Sequence, residues 1–496
     1  MEGRMPLAAR LIYASGSLGG NALGRSRDLW LIFFYLGDDD GDVERRGAAF
    51  AIGAVLVIGR LIEAFDDPLI GYWSDRTRSR WGRRIPFVLA ATPFMAIFFV
   101  LLWIPPNPGE TLGNVFFLFA IFWFFNLFST LSGGPMESLL PEIARRNEDR
   151  LSIVGWQVAF GVVGTAIAFI GSGLLVDAFG FVAMAIIVAA VAFVSRYIAL
   201  TGAWRRSIEA SREIYAQDQV VERLSVWKSI TTCLRNDQFL VFLPSFVLYS
   251  VGAQVITGVL PFYVEAVLGR DEPGTMVAVL SGTALGALTL VLPVVILVAR
   301  RRSKRQVYGW GMLFAGLYFP LFVFAGFLPG IPVVAQGIAY ALFLGFALAP
   351  VQTFPNALIA DITDYDTVRT DQRREAVYYA TQQTLEKIAG AAGPGILIAL
   401  LALGSTADDP LGIRLVGPVA GILALTGYVV FRALLAPRQR HRGVRGGCST
   451  FLTDPAPTLR PPPAPRTRAR CPHPAGALAA GYATAIREAG TAPPDT

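Results

Sequence analysis

Arg60, Glu63, Asp66 and Asp67 stand within eight consecutive residues of an otherwise apolar run, Gly59-Arg60-Leu61-Ile62-Glu63-Ala64-Phe65-Asp66-Asp67-Pro68. At about 100° per residue, a helix places Arg60, Glu63 and Asp67 within about 60° of arc, with Asp66 on the neighbouring face. Carboxylates gathered at one point can ligate a small cation such as Na+ through their oxygens. They can also share a proton, because adjacent like charges raise one pKa. One arginine against three carboxylates leaves excess negative charge, which a bridge that only locks packing does not explain. Lys387 is the natural counter-charge, since the other two lysines of the chain, Lys228 and Lys304, fall in loops. An amine facing these carboxylates would balance the empty site until a cation or proton competed with it. The structural alternatives are snorkelling to an interface or pairing with Glu386.

Weaker polar stripes accompany this cluster. Asn126, Thr130, Gly133 and Glu137 share one helical face, and Asn21, Arg25 and Asp28 share another. Trp156 and Gln157 add an aromatic ring and an amide, as do Tyr379 and Gln383. A cavity lined by amides, a few charges and aromatic faces suits a polyhydroxylated ligand. Each of these residues serves equally well as an interhelical hydrogen bond, worth about 0.6 kcal/mol on average.

The elements that must position these side chains are membrane spans. The chain has 496 residues, 54% of them hydrophobic and 16% charged, with a mean hydropathy of +0.51. A soluble chain carries roughly 25% charged residues, so a soluble multidomain enzyme is excluded. Hydropathy gives twelve spans, at 7–36, 47–73, 85–105, 112–141, 151–177, 180–202, 238–268, 274–299, 307–328, 331–360, 376–404 and 413–436. Arginine follows every even span up to the tenth: five in Asp75–Arg84, then Arg145/Arg146, Arg205/Arg206, Arg300–Arg302 and Arg373/Arg374. The opposite loops hold Asp38–Asp40, Asp42, Asp408 and Asp409, so both termini are expected in the cytoplasm of a multi-pass cell-membrane protein.

The expected organisation is a six-helix bundle over 1–203, a polar, partly amphipathic connector over 204–237 and a second bundle over 238–436. A proline-rich basic tail over 437–496 should be disordered. That tail supplies +6 of the net charge of +7, with nine arginines against three acidic residues. It fits a membrane surface rather than nucleic acid, and a protein partner for it is not specified. Both histidines, His441 and His473, lie there with Cys448 and Cys471. No Cys/His metal site or histidine relay can therefore be built within the spans. No cofactor is expected beyond a coupling ion, Na+ or H+.

Two segments carry a resemblance. Arg60-x-x-Glu63-x-x-x-Asp67-Pro68-x-x-Gly71, continued by Asp75-Arg76-Thr77-Arg78-Ser79-Arg80-Trp81-Gly82-Arg83-Arg84-x-Pro86, resembles the glycoside-pentoside-hexuronide cation symporters. These form the melibiose-permease-like branch of the major facilitator superfamily. Ala360-Asp361-Ile362-Thr363-Asp364-Tyr365, with Arg374-Glu375 and Lys387, is similar to that family's segment from span ten to span eleven. The resemblance implies two six-helix bundles, alternating access, and uptake of a sugar, glycoside or uronide with Na+, Li+ or H+. It places Glu63 and Asp67 as coupling carboxylates, aided by Asp66 and Thr130, with Arg60 and Lys387 as charged partners. It places Asp75, Arg76, Arg80, Gly82, Arg83, Asp361, Asp364 and Arg374 in cytoplasmic gate regions. The family's sugar-binding positions differ here: Gly133 stands where melibiose permease has an aspartate, Glu137 for a tryptophan and Gln157 for an arginine. A second cargo class, an amphiphile such as a lysolipid, follows from that departure. An intramembrane enzyme is the remaining class, without an HExxH motif or a Ser/His pair to support it.

Overall fold

The computed structural model describes residues 4–37, 45–144, 146–216, 231, 233–270, 272–324, 326–370 and 375–435. They are helical almost throughout, as hydrocarbon requires, because a helix satisfies its own backbone groups where no water can. The first half of the chain contains α1 (Leu7–Ala14), α2 (Gly16–Leu36), α3 (Ala49–Arg76), α4 (Ile85–Leu101), α5 (Leu112–Ser138), α6 (Asn147–Ala166) and α7 (Ser172–Ala216). The second contains α8 (Asp237–Phe262), α9 (Pro273–Arg301), α10 (Lys304–Tyr318), α11 (Val333–Thr353), α12 (Pro355–Thr370), α13 (Glu375–Gly390), α14 (Ala392–Leu401) and α15 (Leu411–Leu435).

Among the described residues, eight helical stretches are long and apolar enough to cross a bilayer, and Ile85–Leu101 is apolar but shorter. One of the eight, Glu148–Glu213, contains two spans that fold back at Gly180, whose φ of 79° no ordinary residue adopts readily. The two helices that fall short are α2 and α3, which ionisable side chains interrupt. Together these account for the twelve expected spans. The helix after Gly180 continues to Ala216, beyond the expected bundle boundary at 203. The rest of the connector, with Val220, Leu224 and Trp227, lies outside the described residues, as does the whole of the tail.

Helix ends follow local chemistry. Thr111 caps α5 by accepting from the Asn114 N–H at 3.2 Å, and Asn236 caps α8 by accepting from Gln238 N–H at 3.0 Å. Small residues set the packing. A Cβ on Gly164 would lie 2.2 Å from the Leu18 carbonyl oxygen, so α6 meets α2 backbone against side.

The apolar interior is asymmetric along the membrane normal. Where the aspartate-bearing loops lie (the acidic end), one core joins both halves, including Phe33, Ile52, Phe99 and Val188 with Val255, Phe262, Val277 and Ile398. At the opposite, arginine-rich end the cores are separate. Met5, Tyr13, Ile85, Met136 and Ala199 belong to the first half, while Phe239, Tyr308, Phe319 and Ile359 belong to the second. Among the described residues, the halves thus share a core at the acidic end and keep separate cores at the arginine end.

Gly164→Val should overpack the α2–α6 seam and cost about 1–3 kcal/mol. Gly24→Ala, where a Cβ would meet nothing within 4 Å, should leave stability unchanged or slightly raised. Thermal unfolding of the purified protein, followed by tryptophan fluorescence, distinguishes the two; equal midpoints would refute the seam.

Candidate functional site

Three helices deliver charge to the cluster between the halves, and a fourth adds an amide. Asp28 of α2 is the centre: its Oδ1 accepts from Arg27 Nε at 3.0 Å, Arg27 Nη2 at 2.8 Å and Arg60 Nη2 of α3 at 2.5 Å. Arg27 is buried and also donates from Nη1 to Asn126 Oδ1 of α5 at 3.1 Å. Its guanidinium carbon lies 5.7 Å and 5.4 Å from the Phe122 and Phe125 ring centres, so aromatic faces complete its desolvated shell. Phe122 reaches that position because Gly59 lacks a side chain; a Cβ there would lie 2.5 Å from the ring.

Glu63 carries the cluster across to the second half. Its Oε2 lies 3.8 Å from Arg60 Nη1, and its Oε1 lies 3.6 Å from Lys387 Nζ of α13. Lys387 is therefore brought to the α3 carboxylates. Its side chain retains 37% of its exposure against 13% for Glu63, so the amine is the wetter partner. Asp66 is half-buried on the same helix. The Asp67 side chain lies outside the described residues, although its backbone is part of α3. Among the described residues, no group of three His, Cys, Asp or Glu side chains is arranged to hold a metal ion. The carboxylates are spread among cations instead.

Several expected stripes divide differently. Asp28 leaves the stripe of Asn21 and Arg25 for the charge cluster. Arg25 remains exposed, close enough to act electrostatically on Asp28 and Glu386. Asn21 turns its amide to the Ser17 carbonyl at 2.8 Å, against Gly161 of α6. It closes a helix seam, since Gly161 offers α2 a surface without a side chain. Asn126 is almost fully buried and serves Arg27. Thr130 is buried one turn along, and among the described residues no hydrogen bond joins it to Glu63. Glu137 is exposed and acts electrostatically on Tyr13 and Arg196. Trp156 is exposed and Gln157 half-buried on α6; on α13, Gln383 is exposed and the Tyr379 hydroxyl donates to the Asn356 carbonyl at 2.9 Å.

At the arginine end, the ion pairs seen among the described residues lie within each half. Arg83 Nη2 meets Glu142 Oε1 at 2.5 Å and Arg84 Nη1 meets the same oxygen at 2.9 Å. Gly82, at φ 91°, lets the loop turn against Ser211, whose Oγ accepts from Arg83 N–H at 3.3 Å. In the second half Lys304 Nζ donates to Asp361 Oδ1 at 2.7 Å. Arg76, Arg80 and Asp364 are exposed, with Arg80 over the Trp81 ring. The Asp75 side chain and all of Arg374 lie outside the described residues.

Arg27, Arg196, Glu142 and Gln254 lie outside the polar stripes that the sequence shows. Arg27 lies about 100° from Asp28 around the helix, off the stripe. The cost of an arginine within a span was its signal, and the same holds for Arg196. Gln254 of α8 lies 3.1 Å and 3.2 Å from where Cβ atoms on Gly390 and Gly393 would stand. Only that contact distinguishes it.

Charged and polar side chains gathered between the two halves of a helical membrane fold suit the passage of a solute. The chain belongs to the family described as MFS/sugar transport protein, whose model matches residues 12–411. It is 22% identical to the raffinose carrier protein of Pediococcus pentosaceus, over 87% of this chain and 68% of that protein. It is 26% identical to the sodium-dependent lysophosphatidylcholine symporter 1 of Gallus gallus, over 35% of this chain and 31% of that one. Among solved structures it is similar to the nucleoside transporter NupG, with a TM-score of 0.60 at 13% identity over 86% of this chain and all of that one. That likeness is one of fold.

Asp28→Asn should destabilise the protein by about 3–5 kcal/mol, because it strands two desolvated guanidinium groups. Adding Arg27→Gln should restore at least about 1 kcal/mol of that loss. Additive losses in the thermal-unfolding midpoints of the four proteins would mean that the two residues do not act as a unit.

Proposed function

We propose that this protein is a cation-coupled symporter that imports a sugar, glycoside or uronide by alternating access. The Glu63–Lys387 contact carries the reading, because it ties α3 of one half to α13 of the other through charge alone. A cation on Glu63 and Asp67, aided by Asp66 and Thr130, or a proton on one of these carboxylates, would compete with Lys387 and Arg60. Occupancy then removes an ionic tie between halves and lowers the cost of moving them. Arg27 and Arg60 meet Asp28, and Arg60 and Lys387 meet Glu63, so a cation or proton arriving at these carboxylates would change the balance of charge between the halves.

Positive charge in the loops supports a cytoplasmic arginine end. In that orientation the separate cores open the molecule inward, and both termini lie in the cytoplasm. The proposed bundles are 1–203 and 238–436, joined through 204–237, with the tail from 437. Arg83, Arg84 and Asp361 pair within their own halves in this state, and the proposed gate would pair across the halves in the other.

Cargo is assigned to the side chains of α5, α6 and α13 nearer the arginine end, with Glu137, Trp156 and Gln383 exposed, Gln157 half-buried, and Tyr379 and Arg25 at the margins. A second reading, an amphiphile, has its own observation. A Cβ at Gly133, Gly134 or Gly155 would meet nothing within 4 Å. Gly133 and Gly134 of α5 and Gly155 of α6 thus border open space, and Trp156 and Val158 beside Gly155 are exposed. One relative bears the name of a lysophosphatidylcholine symporter.

Uptake into proteoliposomes of labelled hexoses, pentoses, disaccharides, glucuronides and a lysolipid, under Na+ or H+ gradients, tests both readings. A sugar should accumulate under one gradient. Glu63→Gln and Asp67→Asn should each abolish accumulation while leaving counterflow of the same sugar measurable. Accumulation of the lysolipid alone would establish the second reading. Unchanged accumulation in both variants would overturn the coupling role.

A further inference from the structure

We infer that Asp177 and the glycine pair Gly173–Gly274 form a latch that holds the acidic end shut and must release for the two halves to part there. The inference rests on the alternating-access reading but on no particular cargo. The first turn of a helix carries unpaired N–H groups and the positive end of the helix dipole. For α9, the residue at the capping position is Glu272, and its side chain makes no capping bond. The cap comes from the other half of the chain: Asp177 Oδ1 accepts from Gly274 N–H at 2.8 Å, and Oδ2 accepts from Thr275 N–H at 2.5 Å. Both carboxylate oxygens of α7 are thus spent on donors that α9 cannot satisfy itself.

The backbones beneath that cap touch. A Cβ on Gly173 would lie 2.3 Å from the Gly274 carbonyl oxygen, and one on Gly274 would lie 2.2 Å from that of Gly173. Only two glycines permit this approach, and it brings the carboxylate within reach of the α9 amides. Neighbouring contacts keep Gly173 in place. Trp30 Nε1 donates to Ser172 Oγ at 2.9 Å, and Val176 and Val277 belong to the core that joins the halves. The ion pairs of the arginine end, Arg83–Glu142 and Lys304–Asp361, have no such reach, since each stays within one half. The latch is therefore one-sided: it favours the state described here, and opening the acidic end exposes the amides of Gly274 and Thr275 together with the Asp177 carboxylate.

The test reads conformation rather than transport, so cargo identity does not enter. Spin labels on Leu112→Cys and Leu328→Cys, both exposed and on opposite halves at the acidic end, report their separation by double electron–electron resonance in nanodiscs. Cys233, Cys448 and Cys471 are first replaced by serine. Asp177→Ala should raise the ratio of separated to closed distances at least about tenfold, the change that about 1.4 kcal/mol produces. Asp177→Asn, which keeps one acceptor oxygen, should fall between. A lower unfolding midpoint with an unmoved distance distribution would mean a helix cap and no latch. Gly173→Trp acts as a wedge and separates the remaining cases; if it does not fold, Gly53→Trp serves, where a Cβ would stand 3.3 Å from Ile398. Opening under the wedge but not under Asp177→Ala overturns the latch and leaves the two-state reading standing. No opening in any folded variant overturns both.

Discussion

The Asp28 carboxylate is the anion on which the centre of the molecule depends. An arginine inside a bilayer is stable only with its charge answered, and Asp28 answers two, Arg27 from its own helix and Arg60 from α3. This choice propagates. With Arg60 committed mainly to Asp28, Glu63 is left at 3.8 Å from it and within 3.6 Å of Lys387 on the far half. Asn126 and two phenyl rings then hold Arg27, which fixes α5 against α2. One half-buried acid thereby sets the relation of α2, α3, α5 and α13.

The rest of the fold arranges where this circuit is stiff and where it can yield. Toward the acidic end the charge cluster rests on a core shared by both halves, with Phe33 against Phe262 at 5.1 Å between ring centres and Gly53 against Ile398. Toward the arginine end, among the described residues, each half keeps its own core, and the Arg83–Glu142 and Lys304–Asp361 pairs each lie within one half. Apolar contact is short-ranged and needs close packing. A rocking motion would therefore exchange the shared core at one end for one at the other, with the mid-depth charges near the pivot. Glu63 and Lys387, 3.6 Å apart, join the two halves at that depth.

Much of this was legible in the chain. Spans, their alternating loop charge and the α3 carboxylates follow from hydropathy and a 100° step, because both are properties of a single helix. Lys387 was legible by elimination, as the one lysine with nowhere to go but the membrane. What stayed hidden involves contacts between helices. Asp28 shares a stripe with Asn21 and Arg25, yet the structure separates them: Asn21 packs into a glycine seam, Arg25 stays exposed and Asp28 binds Arg60 thirty-two positions away. Arg27 lies off every stripe, so only the penalty of burying it pointed inward. Asp177 reads as an ordinary loop-end acid, and nothing in its neighbours announces the helix it caps nearly a hundred residues on.

The α5 helix explains how cation and cargo can be coupled without a long pathway. Asn126 and Gly133 are seven residues apart, which returns them to the same face about 10 Å apart along the axis. Asn126 is engaged by Arg27 of the charge cluster, while Gly133 borders open space. A ligand on the Gly133 face would thus lie within about 10 Å of the charges that change with the coupling ion, inside one Debye length and screened little by the protein between. The same geometry accounts for a family whose members carry different cargoes. The charge cluster depends on Asp28, Arg60, Glu63 and Lys387, none of which needs to touch the cargo. The face around Gly133 can change its lining without disturbing a single one of those pairs.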